Sequence, residues 1–166
     1  MSQPTGLELR DVEASDIGTF HRHRLDPAAV RMAAFVGTGA SDKAAFIAHW
    51  ERNLRASEST HRTILFEGRI AGFIACFRWG GDLEVTYWLG REYWGRGLAT
   101  GALRQLLRIV PERPIQARAE ADNPGSIRVL RKCGFEVVGG DRGFAQGRGE
   151  VTEEVHLRLD RDPAAV

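Results

Sequence analysis

The sequence is sparing with the residues that most quickly betray a protein's business. It has two cysteines in 166 residues, Cys76 and Cys133. They lie far apart, with no CxxC and no histidine at ligand spacing, which excludes a disulfide framework and a zinc site and leaves two buried or inert thiols as the reading. Charge of one sign is lacking as well. Lys+Arg 23 against Asp+Glu 22 gives a net charge of +1, so no global field recruits DNA, RNA or an acidic membrane, and an anionic ligand has to be gripped locally. No apolar run approaches the roughly 18 residues of a membrane span, and the opening MSQPTG has no basic flank leading into an apolar core. The chain is therefore expected to be soluble and cytoplasmic, with no nucleic-acid or membrane partner. Repeats and low-complexity linkers are absent from the pattern. The nearest thing to a metal motif is His21-x-His23, but that spacing points the two rings to different faces of a helix and predicts a solvated helix face rather than a ligand pair. No metal is expected.

What is present suits one compact domain over residues 1–166: 43% hydrophobic and 27% charged residues, enough to bury a core. LELR at 7–10 alternates as a short strand, and Asp16 to Arg24 reads as a helix with Asp16 near its cap. The stretch 26–40 shows no clear pattern. After Ser41, DKAAFIAHWERNLR places Phe46, Ile47, Trp50 and Leu54 on one helical face. Strands are predicted over 62–66, 70–77 and 83–89, the last with Val85, Tyr87 and Leu89 on one side and Glu84, Thr86 and Trp88 on the other. A helix from about Ala99 to Val110 ends at Pro111 and Pro114. PIQARAEA supplies a strand. NPGSIRVLRKCGF reads as a short helix with Asn123 as N-cap, Pro124 at the first helical position, Arg131 and Lys132 in the last turn and Gly134 as stop. EVVGG and TEEVHLRL close the chain as strands around a polar, glycine-rich loop, DRGFAQGRGE.

The stretch EYWGRGLAT places Gly95 and Gly97 around Arg96 at a strand-to-helix junction. Unpaired N–H groups at a helix start carry partial positive charge, so a glycine-softened loop there suits a phosphate. A Walker A loop is excluded because GRGLATG offers neither the lysine nor the hydroxyl of GK[ST]. A dinucleotide fold needs its glycines directly after the strand, whereas Gly90 to Trp94 intervene, although Glu120 lies at a tolerable distance downstream. A tight turn without a ligand accounts for one glycine but not for both with a helix start and a flanking arginine.

Taken with its surroundings the loop is more specific. EVTYWLGREYWGRGLATGAL followed by NPGSIRVLRKCGFEVVG resembles the GNAT superfamily of acetyl-CoA-dependent N-acetyltransferases, in particular its RimJ/RimL-like branch. The likeness is good over residues 60 to 160 and loose before them. It implies an α+β GNAT fold with a central mixed, mostly antiparallel twisted sheet of about six to seven strands, a V-shaped splay and about four flanking helices. The family's phosphate-loop consensus, Q/R-x-x-G-x-G/A, falls on Trp94, Gly95, Arg96, Gly97, Leu98 and Ala99. Trp94 departs from its first position, which alters contacts rather than abolishing a grip made by backbone donors. Thr100 offers a hydroxyl to the same region, and Trp88 and Leu89 match the end of the strand along which pantetheine pairs.

The second motif, N-x-x-S-x-x-V-L-x-K-x-G-F, falls on Asn123, Ser126, Val129, Leu130, Lys132, Gly134 and Phe135. The resemblance implies that Asn123 contacts the pantetheine arm and Ser126 lies near the sulfur; a plain helix cap accounts for Asn123 too, and one side chain can do both. The activity implied is transfer of the acetyl group of acetyl-CoA to a primary amine. Glu84 is the first candidate for general base, with Glu153 and Glu154 as rivals and a salt-bridged strand residue as its bland alternative. Ser126 is the first candidate donor to the departing thiolate, with Tyr87 or Tyr93 as alternatives. A GNAT-like module that binds CoA without turnover is the competing reading. The acceptor amine is not legible, and a homodimer is possible for this branch without any residue that argues for it.

Overall fold

The computed structural model describes residues 3–33 and 42–162. They form a seven-stranded sheet in the order β1-β2-β3-β4-β5-β7-β6, with β1 Leu7–Asp11, β2 Thr60–Phe66, β3 Arg69–Trp79, β4 Asp82–Leu89, β5 Ile115–Glu120, β6 Glu136–Ala145 and β7 Glu150–Leu159. Five α-helices flank it: α1 Ile17–Arg24, α2 Pro27–Ala33, α3 Lys43–Arg55, α4 Leu98–Ile109 and α5 Pro124–Lys132. Every strand pairing is antiparallel except β4 with β5, which α4 connects as a crossover. The architecture matches the α+β arrangement that the resemblance implies, with one helix more than the expected four. The extra helix, α2, lies in the stretch whose sequence showed no clear pattern.

The alternation along β4 divides the core. On one side of the sheet, Leu98, Ala102, Leu103 and Leu106 of α4 and Leu130 of α5 pack against Ile64, Ile74, Val85, Ile115 and Leu157. These α4 residues recur at helical spacing, which is why this helix buries a full stripe. On the other side, Ile17 and Phe20 of α1 and Trp50 of α3 form a smaller aromatic core with Phe73. There the Trp50 ring meets Phe73 edge-on, with centroids 4.8 Å apart.

The structure departs from the sequence reading in several places. The closing strands are longer: Asp141 pairs with Glu154 and Ala145 with Glu150, so most of the expected loop is hairpin. Along β6 almost every residue is exposed, which leaves no buried face to generate alternation. Asp16 is the N-cap residue of α1, as expected, but its carboxylate makes no hydrogen bond to that helix's first turn. It is buried and accepts from both Arg10 guanidinium ends at 2.7 and 2.8 Å, from Thr63 Oγ1 at 2.6 Å and from Glu13 N–H at 2.8 Å. At α3 the capping side chain is Asp42, accepting from Ala45 N–H; Ser41 lies outside the described residues. Nor is the His21/His23 face solvated. His21 is buried and His23 half-buried, and burial pushes the His23 imidazole below its ordinary range.

α5 follows its sequence grammar closely. Asn123 Oδ1 accepts from Ser126 N–H at 3.1 Å. The helix ends with Phe135 N–H donating to Leu130 C=O and Gly134 N–H to Arg131 C=O, a Schellman stop.

Candidate active site

The parallel pairing of β4 and β5 is confined to Leu83 with Ile115 and Glu84 with Gln116, while β3 stays paired to β4 as far as Leu89. Beyond Glu84 the two strands part, and the edge of β4 from Val85 to Leu89 is left facing a V-shaped gap. Among the described residues its main-chain groups have no strand partner there, and they offer a ladder to an extended ligand.

At the open end of the V sits the glycine loop. Gly95 and Gly97 have φ of +73° and +74°, left-handed values that L side chains resist, and Gly97 is the N-cap of α4 without any side-chain cap. A Cβ at Gly95 would meet nothing within 4 Å. Residues 94–97 are exposed, so the first-turn N–H groups of a long amphipathic helix face an open cradle. Trp94, the departure from the family consensus, donates its indole N–H to Leu89 C=O at 3.0 Å and so ties the loop to the end of β4. That bond engages the Leu89 carbonyl. The Arg96 guanidinium lies 5.8 Å above the Phe66 ring. Leu98 and Thr100 are buried, so their side chains face the protein. Thr100, the residue expected to offer a hydroxyl, is 9% exposed.

Across the gap the structure brings Tyr87 and Ser126 together, their oxygens 2.9 Å apart. Burial pushes the Tyr87 phenol up to about 12, so it stays a neutral O–H donor. Tyr93 lines a cleft with Arg22, His23 and Arg91. Glu120, at the end of β5, is 8% exposed. Its burial pushes the carboxyl up to about 7, against the lowering pull of hydrogen bonds from backbone and Asn123 and of the Arg148 charge. Glu120 acts electrostatically on Tyr87, but along β5 it alternates with Ala119 and shares the sheet face of Arg118 and Glu84.

Glu84 sits at the closed end of the V, where β4 and β5 are still paired. Both its oxygens are taken by Arg118, at 2.6 and 3.2 Å, so the bland alternative, a salt-bridged strand residue, describes its surroundings. Glu154 is 3.1 Å from His156 and 3.8 Å from Arg118; Glu153 is exposed. Sequence reasoning considered Glu120 only for a dinucleotide fold. Its signal was a carboxylate at a strand's end, three residues before a helix cap. Beside α5 a basic groove of about 490 Å³ is lined by Arg128, Arg131 and Lys132.

A family model described as an acetyltransferase (GNAT) domain matches residues 6–136. The chain belongs to the GNAT acetyltransferase family. Over 86 residues it is 29% identical to an uncharacterized N-acetyltransferase, p20, of Bacillus licheniformis. That match covers 49% of this chain and 48% of p20, so the chain spans about half the length of this curated relative. Among solved GNAT structures, RimL, a ribosomal L7/L12 alpha-N-protein acetyltransferase in complex with coenzyme A, superposes with a TM-score of 0.79 at 18% identity, covering 97% of both chains. Spermidine N-acetyltransferase from Vibrio cholerae, in complex with CoA and spermine, gives 0.82 at 13% identity over 95% of this chain and 97% of that one. Mycobacterium smegmatis RimJ in complex with a CoA-disulfide gives 0.75 at 19% identity over 93% and 81%. These likenesses show the shared fold, and the neighbours' ligands differ enough that the fold does not select an acceptor. Among the described residues no helix is long and apolar enough to cross a membrane, and no group of three His, Cys, Asp or Glu side chains is placed to hold a metal.

Proposed function

We propose that the protein transfers the acetyl group of acetyl-CoA to a primary amine by direct attack. The observation that carries this reading is a single gap bounded by a free β4 edge, an exposed left-handed glycine cradle at a helix start, a buried carboxyl near neutrality and a neutral tyrosine donor. The residues present fit coenzyme A: the Gly95–Ala99 main chain suits a diphosphate, the β4 edge around Trp88 suits the amide-rich arm, and the basic groove beside α5 attracts a further phosphate.

Bound there, acetyl-CoA supplies an already activated thioester, so the protein's tasks are positioning and proton movement. Glu120 is the base in this proposal. A carboxyl near 7 is half-ionised at neutral pH and takes a proton from an ammonium or through one water, whereas Glu84 is committed to Arg118 and serves to orient that arginine. Tyr87 donates a proton to the leaving sulfur, with Ser126 fixing the phenol's direction. Asn123 holds the N-terminus of α5, and with it Ser126, in place.

The test is a thiol-release assay with acetyl-CoA across a panel of amines. Wild type is expected to release thiol with at least one class of acceptor, and Glu120→Gln to lower kcat/KM by about 100-fold, the lower range for losing a general base. Release by no amine while CoA still binds would favour the non-catalytic module, and a larger loss in Glu84→Gln than in Glu120→Gln would return the base role to Glu84.

A further inference from the structure

The corner between α1 and α2 is fastened to the end of β4 by three contacts. The His23 ring packs so closely on Gly90 that a Cβ there would lie 2.7 Å from Nε2. The Arg24 guanidinium lies 4.7 Å above the Trp88 ring. Asp26, the nearest acid in sequence, is ion-paired with Arg91 at 3.1 Å. The corner is thus held where β4 has lost its β5 neighbour, on the sheet face that carries α1 and opposite the face that carries α4.

Most of the half-buried arginines among the described residues pair with a carboxylate, and Arg104 donates to the Lys132 carbonyl at 3.5 Å. Arg10, Arg62 and Arg113 have carboxylates within 3.3 Å. Arg24 has the ring of Trp88 as its described contact, and no carboxylate contributes to its ionisation, which is lowered by burial alone. The Trp88 indole N–H beside it is buried and without an acceptor. A guanidinium withdrawn from water without a counter-ion is costly, and ring contact offsets that cost in part. Five planar N–H donors held over the end of β4 match an oxyanion. The diphosphate cradle at Gly95 and Gly97 belongs to α4 on the other face, which leaves Arg24 to the acceptor side.

Resting on the proposed transferase reading, we infer that Arg24, seated on Trp88, binds a carboxylate of the acceptor, so that the substrate is an amine carrying a carboxylate close to the reacting nitrogen. The source is either the α-carboxylate of a free amino acid or the side chain of an acidic residue at a peptide N-terminus, since a guanidinium fork recognises the group and not its origin. A polyamine, which has no anion to offer, fits this corner poorly.

The test is calorimetric titration of CoA-saturated protein with product-like probes: N-acetylglycine and N-acetylalanine for the free amino acid, N-acetylaspartyl-alanine amide for the peptide, and N-acetylalanine amide as the neutral control. One carboxylate class is expected to bind about 10- to 100-fold more tightly than the neutral amide, the range for a hydrogen-bonded charge. Arg24→Gln should erase that preference while leaving CoA affinity unchanged, which also shows that the variant is folded. Which carboxylate class binds identifies the source. The inference is overturned if no carboxylate probe outbinds the amide, or if the preference survives in Arg24→Gln. Failure of CoA itself to bind overturns the transferase reading and this inference together.

Discussion

At the scale of single residues, two carboxylates on neighbouring strands have opposite fates. Glu84 meets a guanidinium, whereas Glu120 is buried and its desolvation outweighs the hydrogen bonds it receives. Sequence alone does not separate them, because the difference lies in which strand ends abut the gap and in what covers them. Glu120 therefore carries the sharpest pH prediction. kcat/KM should rise with pH through an apparent pKa of about 7, and the rise should vanish in Glu120→Gln. The same group makes a stability prediction of known sign. Its folded carboxyl lies above the ordinary 4.5, so the native state holds a proton that the unfolded chain releases, and its contribution fades as pH rises towards 7. Chemical denaturation of wild type and Glu120→Gln between pH 4.5 and 8 checks this, the variant being the flatter of the two. Tyr87→Phe keeps the ring and removes the donor. It should lower kcat by about 100-fold with KM little changed, while Ser126→Ala, which removes an orienting partner, should cost about tenfold; steady-state kinetics on the two variants separates donor from orienter.

At the scale of elements, the strands bordering the core and the α4 and α5 helices were legible because each buries one face, so periodicity survives in the sequence. The extension of the β6–β7 hairpin through the expected loop was not, because β6 is an edge strand exposed along most of its length and rich in glycine and charge. The α2 helix was missed because it is short and buries little beyond Ala29. The α5 cap was read from local chemistry, and that chemistry sets its energetics. Asn123→Ala should destabilise the protein by about 1 kcal/mol through the lost α5 cap. If Asn123 also positions Ser126, kcat should fall further than that loss of stability explains, as comparison of unfolding curves with turnover would show. Gly97→Ala forces a side chain into left-handed backbone, worth about 1–2 kcal/mol, and should weaken CoA binding while leaving α4 folded.

At the scale of the molecule, the two sheet faces have separate tasks. The α4/α5 face supplies most of the aliphatic core and presents the exposed glycine loop; the α1/α3 face is pinned by aromatic packing and by the buried Asp16. Arg10 spans from β1 to Asp16 at the start of α1, and Thr63 ties the same carboxylate to β2. Burial alone would raise the Asp16 carboxyl, but Arg10, Thr63 and the Glu13 N–H outweigh it and hold it below its ordinary range. Its contribution is then present above the unfolded carboxylate range and lost as pH falls through the lowered folded value. Asp16→Ala should cost about 3 kcal/mol, the scale for stripping one partner from a buried pair, and should remove part of the acid sensitivity of unfolding. The family and its fold were legible in two motifs, but this anchor was not, since its partners are separated by 47 residues along the chain.

The measurement that bears most directly on the account is a calorimetric titration of the folded protein with coenzyme A, run beside the Gly95→Val, Gly97→Val double variant. The account predicts one saturable site in wild type, weakened by about tenfold or more in the double variant, a loss of at least about 1.4 kcal/mol. No uptake at millimolar coenzyme A, or equal affinity in a folded double variant, would contradict it.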